Sequence, residues 1–433
     1  MPFALPPRAA LEARANNWGG NHRFTPAVTV SAESAADVAA AVRWAIAHRL
    51  PVRPMGTGHS FSALVPTGGV LVRTPDLSGI TGVDSRTGRV RVGAGTPLAQ
   101  LNEELWEHGL ALPTLGDADK QQVAGALATA THGTGLATGS LSSLMTGIRL
   151  ITGTGEEAWI DESAPEQLRA ARASLGALGV ALEVELQAVP AFHLTDSRTL
   201  TDAEDLRAQW DGLTDPARPA SFQWLPGEDS ASLLELPAPE GEPSAGRALV
   251  RRSARAATTA LVEGTGSPTG APDSPTAAPG PVNADGTDRS YRVLVGRSMK
   301  PFHEMELLVP LDRAREAFDA LTALLAEDFP EHQHPIEVRF VGQDDAHLSP
   351  TEGGPRAALS IPVKTSADYW PMLIAIDALL EPLGARPHWG KLHLLDRERV
   401  AALYPQLGAF QGVHAQLDPH GIFLNDHLRA LLG

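Results

Sequence analysis

Four short stretches carry side chains that could do chemistry. The first is MGTGHSF, Met55 to Phe61, in which Gly56 and Gly58 bracket Thr57 and a histidine follows at once. The second is THGTG, Thr131 to Gly135. Glycine lets backbone amides approach anionic oxygens closely. The hydroxyls of Thr57, Ser60, Thr131 and Thr134 add donors, so both loops suit a phosphate-bearing ligand. The competing reading is a pair of tight turns. Neither loop fits GxGxxG or GxxxxGK[ST], which argues against a nicotinamide-binding Rossmann domain and against P-loop nucleotide chemistry. His59 is open between ligand, base, covalent anchor and plain loop residue.

The third stretch is IEVRF and the fourth HWGKLH. Side chains alternate faces on a strand, so Ile336, Val338 and Phe340 share one face and Glu337 and Arg339 the other. Such a pair marks a solvated face or a lined pocket, and on these residues alone the solvated face is the commoner case. Lys391 lies beside Trp389 and between His388 and His393, unusual company for a surface lysine. His388 with His393, or His332 with His334, could in principle bind a metal. No HExxH and no obvious carboxylate triad accompanies them, so no metal site is expected. The chain has no cysteine, which removes disulfides, thiolate metal sites and thiol nucleophiles together.

The elements that must position these residues are legible in part. Residues 27–49 read as a strand and a helix, with Ser34 and Asp37 spaced as N-cap and N3 and Val38, Val42 and Ile46 on one helical face. LPVRPM then leads into the first loop. VLVR and GRVRVGAG read as strands. Thr96-Pro97 reads as N-cap and N1 of a helix carrying Leu98, Leu101 and Leu105 and ended by Gly109. GIRLITGTG and VALEVELQAV are further strands, closing a first region at Pro190. Residues 237–289 are rich in Pro, Gly, Ser, Thr and Ala and read as a low-complexity insertion, with ALVRRSARAATTALV as a short helix inside it. SYRVLVGRSMKPFHEMELLVP then reads as strand, followed by a helix over 312–326, the strands IEVRFV and AALSIPV, and a helix around 367–382.

Bulk properties set limits. The 433 residues suffice for two or three domains. The formal charge of −16 disfavours nucleic acid and anionic membranes as partners. No apolar run approaches the roughly 18–20 residues that span a bilayer. The first residues lack the pattern of a secretory signal, so a cytoplasmic location is the expectation.

Taken in order, NWGGNHRFTPAVTV, VRWAIAHRLPVRPMGTGHSFS, GRVRVGAGTPLAQLNEELWEHGLALP, VAGALATATHGTG, EVRF and RPHWGKLH resemble the aldonolactone and alditol oxidases, a family of vanillyl-alcohol-oxidase (PCMH-type) flavoproteins. The resemblance covers nearly the whole chain and is weak over 191–290. It implies an α+β fold: a two-subdomain FAD-binding domain over 1–190, a cap domain over 191–410 with a mixed or antiparallel sheet and flanking helices, and a return of 411–433 to the first domain through Phe423 and Asn425. It implies that Gly56, Thr57, Gly58, His59, Ser60 and Phe61 hold FAD, with a covalent bond from His59, and that Thr131, His132, Gly133 and Gly135 also line the cofactor. It places Glu337, Arg339 and Lys391 at the substrate side of the flavin.

The implied activity is removal of a hydride from an alcohol carbon of a sugar-derived lactone or polyol, with O2 as acceptor and H2O2 as product. Two alternatives stay open: a flavin dehydrogenase with another acceptor, and an alcohol oxidase of specialised metabolism acting on a non-sugar substrate. Departures from the family pattern bear on this. A position that is alanine in an oxygen-shy relative falls on Gly116, which is expected to leave room for dioxygen. The next, a substrate-contacting serine in alditol oxidases, falls on Asp117, which would alter the accepted alcohol. The substrate-contacting histidine expected near Pro362 is absent.

Overall fold

The computed structural model describes residues 5–234, 244–256, 286–296 and 302–433. Its architecture is α+β, built from a four-stranded, a five-stranded and an eight-stranded sheet with helices packed between and outside them. In the four-stranded sheet Val28–Ser31 and Val52–Pro54 both run parallel to Val70–Arg73. The helix Ala35–His48 supplies the crossover. Ser34 caps it by accepting from the Asp37 amide at 3.2 Å, as the Ser-x-x-Asp spacing predicts. The five-stranded sheet is an antiparallel array around Met145–Ile151 and Val180–Gln187, continued by Arg89–Gly93.

The eight-stranded sheet is antiparallel throughout and runs from Gly286–Arg289 at one edge to Arg386–Pro387 at the other. The helices Ala314–Asp328 and Trp370–Leu380 flank it. They share a core with one sheet face, including Phe318, Leu321, Leu373 and Ile376 against Phe222, Val338 and Leu359. Ile336–Val341 obeys the predicted alternation: Ile336, Val338 and Phe340 enter that core and are at most 1% exposed. Glu337 and Arg339 take the opposite face.

Three expectations from sequence are corrected. Ala248–Arg255 is a strand, not a helix. It pairs along both edges, with His193–Thr201 and with Ala220–Trp224, and these two ladders override the helical preference of its Ala and Arg residues. Most of the expected insertion lies outside the described residues. Ser290–Leu294 is a short helix rather than a strand. Thr96 is not an N-cap. The helix begins at Leu98 after Pro97, and the Thr96 hydroxyl is engaged elsewhere, donating to Gly93 O at 2.6 Å and accepting from the Gly79 amide at 2.9 Å. The C-terminal segment also joins the first core earlier than position 411. Trp389, Leu395, Val400 and Tyr404 pack there with Leu101, Val123 and Val184.

The return of the chain end is fixed by two polar side chains. Asn425 Nδ2 donates to the carbonyls of Ala63 at 2.8 Å and Pro66 at 2.9 Å, while its Oδ1 caps the last helix at the Leu428 amide. Arg53 is 1% exposed and has no carboxylate partner among the described residues. Its guanidinium donates to Leu64 O at 2.7 Å, Leu175 O at 2.6 Å, Gly176 O at 3.0 Å and Phe423 O. Burial pushes its pKa down to about 9. Arg53→Met would leave these carbonyls unsatisfied, at about 1–3 kcal/mol each. The expected loss is at least about 3 kcal/mol, read by urea unfolding, with m unchanged.

Candidate active site

A deep cleft of about 130 Å³ separates the four-stranded and five-stranded sheets. One wall is the loop after Val52–Pro54, and Gly56, Thr57, Gly58, His59 and Ser60 all line it. Gly58 has φ +75, and a Cβ there would meet Met55 Cε at 2.7 Å, so this turn takes glycine for both conformational and steric reasons. The turn between the short strands Ala15–Asn16 and Arg23–Phe24 clamps the loop. Asn17 Nδ2 donates to Ser60 O at 2.9 Å, Asn21 Nδ2 to Phe61 O at 2.8 Å, and the Trp18 amide to Gly58 O at 2.7 Å. The Trp18 indole stacks on His59 at 5.4 Å and 19°. Burial, then the Lys391 charge, lowers the His59 pKa, which favours a neutral imidazole.

The two distant motifs meet here. The Phe61 amide donates to Gly390 O at 2.7 Å and Ser62 Oγ to Trp389 O at 2.5 Å. The turn HWGK is therefore stitched to the loop GHSF. Trp389 is fully buried against Tyr404, with its indole N–H donated to Leu348 O at 2.6 Å. Phe61 lies under the lysine, with Lys391 Nζ 5.6 Å from its ring centroid, rather than lining the cleft.

The loop THGTG is fastened to the strand that carries the Glu-Arg pair. The Gly135 amide donates to Phe340 O at 2.6 Å, and Thr134 Oγ1 to Ala220 O at 2.7 Å. Gly133 and Thr134 line a smaller pocket, of about 20 Å³, with Asp117, Ser221, Arg251, Ser253, Glu337 and Arg339. Glu337 and Arg339 thus face a pocket, not solvent. Arg339 is gripped by Asp117 and, at 2.5 Å, by Glu337. Burial, augmented by the Asp117 charge, raises the Glu337 carboxyl even against Arg339. Burial pulls Arg339 down, but the two carboxylates outweigh it and keep the guanidinium charged.

A third cluster escaped the sequence reading. Glu304 and Glu306 project from His303–Pro310 and are 6% and 4% exposed. Glu304 accepts from Lys391 Nζ and from Ser360 Oγ, so a serine stands on the strand AALSIPV where a histidine was sought. Glu306 faces His132 Nε2 at 3.1 Å, with His388 close by. Burial pushes Glu306 up, but His132, Lys391 and His388 together hold it well below the usual carboxylate range. Donor atoms of His132, Glu306 and His388 lie within 4.8 Å of one another, a spacing a metal could use. The tautomers do not favour one. His388 Nδ1 accepts from the Gly390 amide at 3.0 Å, so in the neutral ring Nε2 carries the hydrogen and has no free lone pair. Among the described residues His393 is not part of this group. The legible signal for this cluster was a pair of glutamates at alternate positions in an otherwise apolar strand.

At Gly116 a Cβ would meet Thr131 Cγ2 at 3.0 Å and His132 O at 3.2 Å, so the glycine packs closely against the THGTG loop.

Comparison with known proteins fits this geometry. The family profile described as D-arabinono-1,4-lactone oxidase matches residues 184–431, and that of an FAD binding domain matches 26–161. The chain belongs to the D-arabinono-1,4-lactone oxidase family. It is an FAD-dependent oxidoreductase acting on CH–OH groups. It is 31% identical to an L-gulono-1,4-lactone dehydrogenase of Mycobacterium tuberculosis over 96% of this chain and 99% of that one. It is 32% identical to an alditol oxidase of a Streptomyces species over 98% and 100%. The solved structure of a cholesterol oxidase from B. sterolicum shares the fold, with a TM-score of 0.80 at 16% identity over the full length of both chains. Among the described residues no helix is long and apolar enough to cross a membrane.

The residues present suit FAD. Thr131 Oγ1 is buried without a hydrogen-bond partner, and a methyl on the cleft-lining Gly125 would meet no atom within 4 Å. Gly58→Val should reduce bound flavin per purified chain severalfold, read from visible absorbance, because it both strains the turn and displaces Met55.

Proposed function

We propose that the chain oxidises an alcohol carbon of a sugar-derived lactone or polyol, with dioxygen as electron acceptor and FAD held covalently through His59. The observation that carries this reading is the approach of two half-buried cations, Arg339 and Lys391, from different parts of the chain. They stand close enough for the charge of Arg339 to act on Lys391. FAD bound in the cleft supplies the two-electron acceptor for a hydride.

The remaining work falls to side chains. Alcohol oxidation requires loss of the hydroxyl proton, and a cation beside the hydroxyl lowers its pKa. A second cation beside the cofactor stabilises charge that develops as hydride leaves. Arg339 and Lys391 divide these roles. Glu337 orients Arg339 and, with its raised pKa, can donate or accept a hydrogen bond from substrate hydroxyls. Asp117 competes for the same guanidinium and so governs which alcohol can approach it. The eight-stranded sheet acts as the cap that brings Glu337 and Arg339 over the cofactor. The substrate class follows the names of the relatives, and the acceptor follows the family description and the alditol oxidase.

His59 serves as anchor rather than base: its ring is held against Trp18 and kept neutral, the form in which a nitrogen lone pair is free to bond. Acid precipitation should leave the colour of the wild-type protein in the pellet, whereas His59→Ala should release it to the supernatant. Colour in the wild-type supernatant removes the covalent link from this proposal. Arg339→Ala should retain FAD and slow its anaerobic reduction by L-gulono-1,4-lactone or a linear alditol by about 10²-fold or more. Reduction at the wild-type rate would show the site to be misassigned. Air reoxidation that is slow after such reduction would mark a dehydrogenase instead.

A further inference from the structure

We propose that Glu304 is a positioning residue for this reaction: it holds the Lys391 ammonium in one place and keeps it cationic, with Ser360 fixing the carboxylate. This rests on the role of Lys391 given above.

The geometry is specific. Glu304 is 6% exposed, and each of its oxygens has one side-chain partner, Lys391 Nζ on Oε2 and Ser360 Oγ on Oε1. The same residue holds the lysine's turn by its backbone, since the Leu392 amide donates to Glu304 O at 2.8 Å. Two residues along the strand, Glu306 O accepts from the His388 amide at 2.9 Å. The turn His388 to Leu392 is thus clamped at both ends by one strand, and its lysine by a side chain of that strand. On the other side the ammonium lies over Phe61.

An ammonium drawn partly out of water tends to shed its proton unless a carboxylate opposes the loss. Burial does pull Lys391 down. Glu304 first, and Glu306 second, outweigh it and raise the pKa above its ordinary value. The other titratable groups around it are His388 on its own turn, His132 on the THGTG loop, Arg339 on Ile336–Val341, the strand beyond that of Ser360, and His59 on the GHSF loop. His388 is pushed by burial to about 3 and is neutral. Among the described residues only Glu304 accepts a hydrogen bond from Nζ.

The test compares FAD-loaded wild type, Glu304→Gln, Glu304→Asp and Lys391→Met, measuring flavin reduction against pH with L-gulono-1,4-lactone or a linear alditol. Glu304→Gln keeps the shape and removes the charge, so Lys391 loses its proton earlier. The alkaline limb of the profile should move down by about one pH unit or more. Glu304→Asp keeps the charge and should hold the limb near its wild-type place while the rate falls. Bleaching of the bound flavin by sulfite, which reports positive charge beside the ring, should weaken in Glu304→Gln and not in Glu304→Asp. In a Lys391→Met background Glu304→Gln should add nothing, the signature of two residues acting as one unit. An unmoved limb with unchanged sulfite affinity overturns the proposal if Lys391→Met is slow. A Lys391→Met variant that reduces at the wild-type rate overturns the reading of the site first, and the proposal with it. Should Glu304→Gln not fold, Ser360→Ala serves. It leaves the carboxylate but frees Oε1, and turnover should fall severalfold at unchanged KM; unchanged turnover would sink the proposal.

Discussion

The buried guanidinium of Arg53 is the interaction on which the rest depends. It sits on the last strand residues before the loop GTGHS and binds carbonyls from three other segments, at Leu64, at Leu175 and Gly176, and at Phe423. These segments are the far end of the first loop, the turn bordering the five-stranded sheet, and the chain's return. An arginine without a carboxylate costs more to bury than an ion pair. The cost is offset because the planar fork satisfies several carbonyls at once, which no other side chain can do from one position. Arg53 also lines the cleft. The same group therefore sets the spacing of the walls and contributes positive charge to a space suited to a pyrophosphate.

From that frame the two glycine loops gain their partners. GHSF is bonded to the turn HWGK, and THGTG to the strand of Glu337 and Arg339. Each loop faces the larger cleft or its neighbouring pocket on one side and is tied to one of the two cation-bearing segments on the other. These ties are short hydrogen bonds from backbone amides and from the short hydroxyl side chains of Ser62 and Thr134, so a displacement in one segment is transmitted to the other. Such coupling keeps reacting groups within the tenths of an ångström that positioning requires.

Much of this was legible in sequence, for identifiable reasons. The face shared by Glu337 and Arg339 follows from strand alternation, which local geometry enforces. The Ser34 cap follows from a local hydrogen bond. The strand Ala248–Arg255 was not legible because its state is set by two partner strands, and the sequence carries only its helix-favouring Ala and Arg. Thr96 was misplaced by one position because its hydroxyl bonds Gly93 and Gly79 rather than the helix start. Arg53 was invisible because its partners are backbone carbonyls, which leave no mark on residue type. The close packing of Gly116 against Thr131 and His132 was not legible either, because it depends on a loop fifteen residues on. Glu304 and Glu306 carried a signal, two charges in a buried strand, that only a rule about unpaired carboxylates would have caught.

The charge arrangement also argues for function over stability. Buried ion pairs return in Coulomb energy little more than they cost in desolvation, and apolar residues of equal volume often serve the fold as well. Here Arg339 has two carboxylates, Lys391 one, and Glu306 two histidines, all within one region of the sheet's polar face. The opposite face of the same strands is apolar apart from His303 at one end and supplies the core. A fold seeking stability alone would not place three charged clusters there. What the arrangement does supply is a set of charges fixed before substrate arrives. Charges so fixed need no reorganisation when hydride and proton part, and that preorganisation is worth more in a dry site than in water. The carboxylates that hold the two cations are therefore as much part of the machinery as the cations themselves.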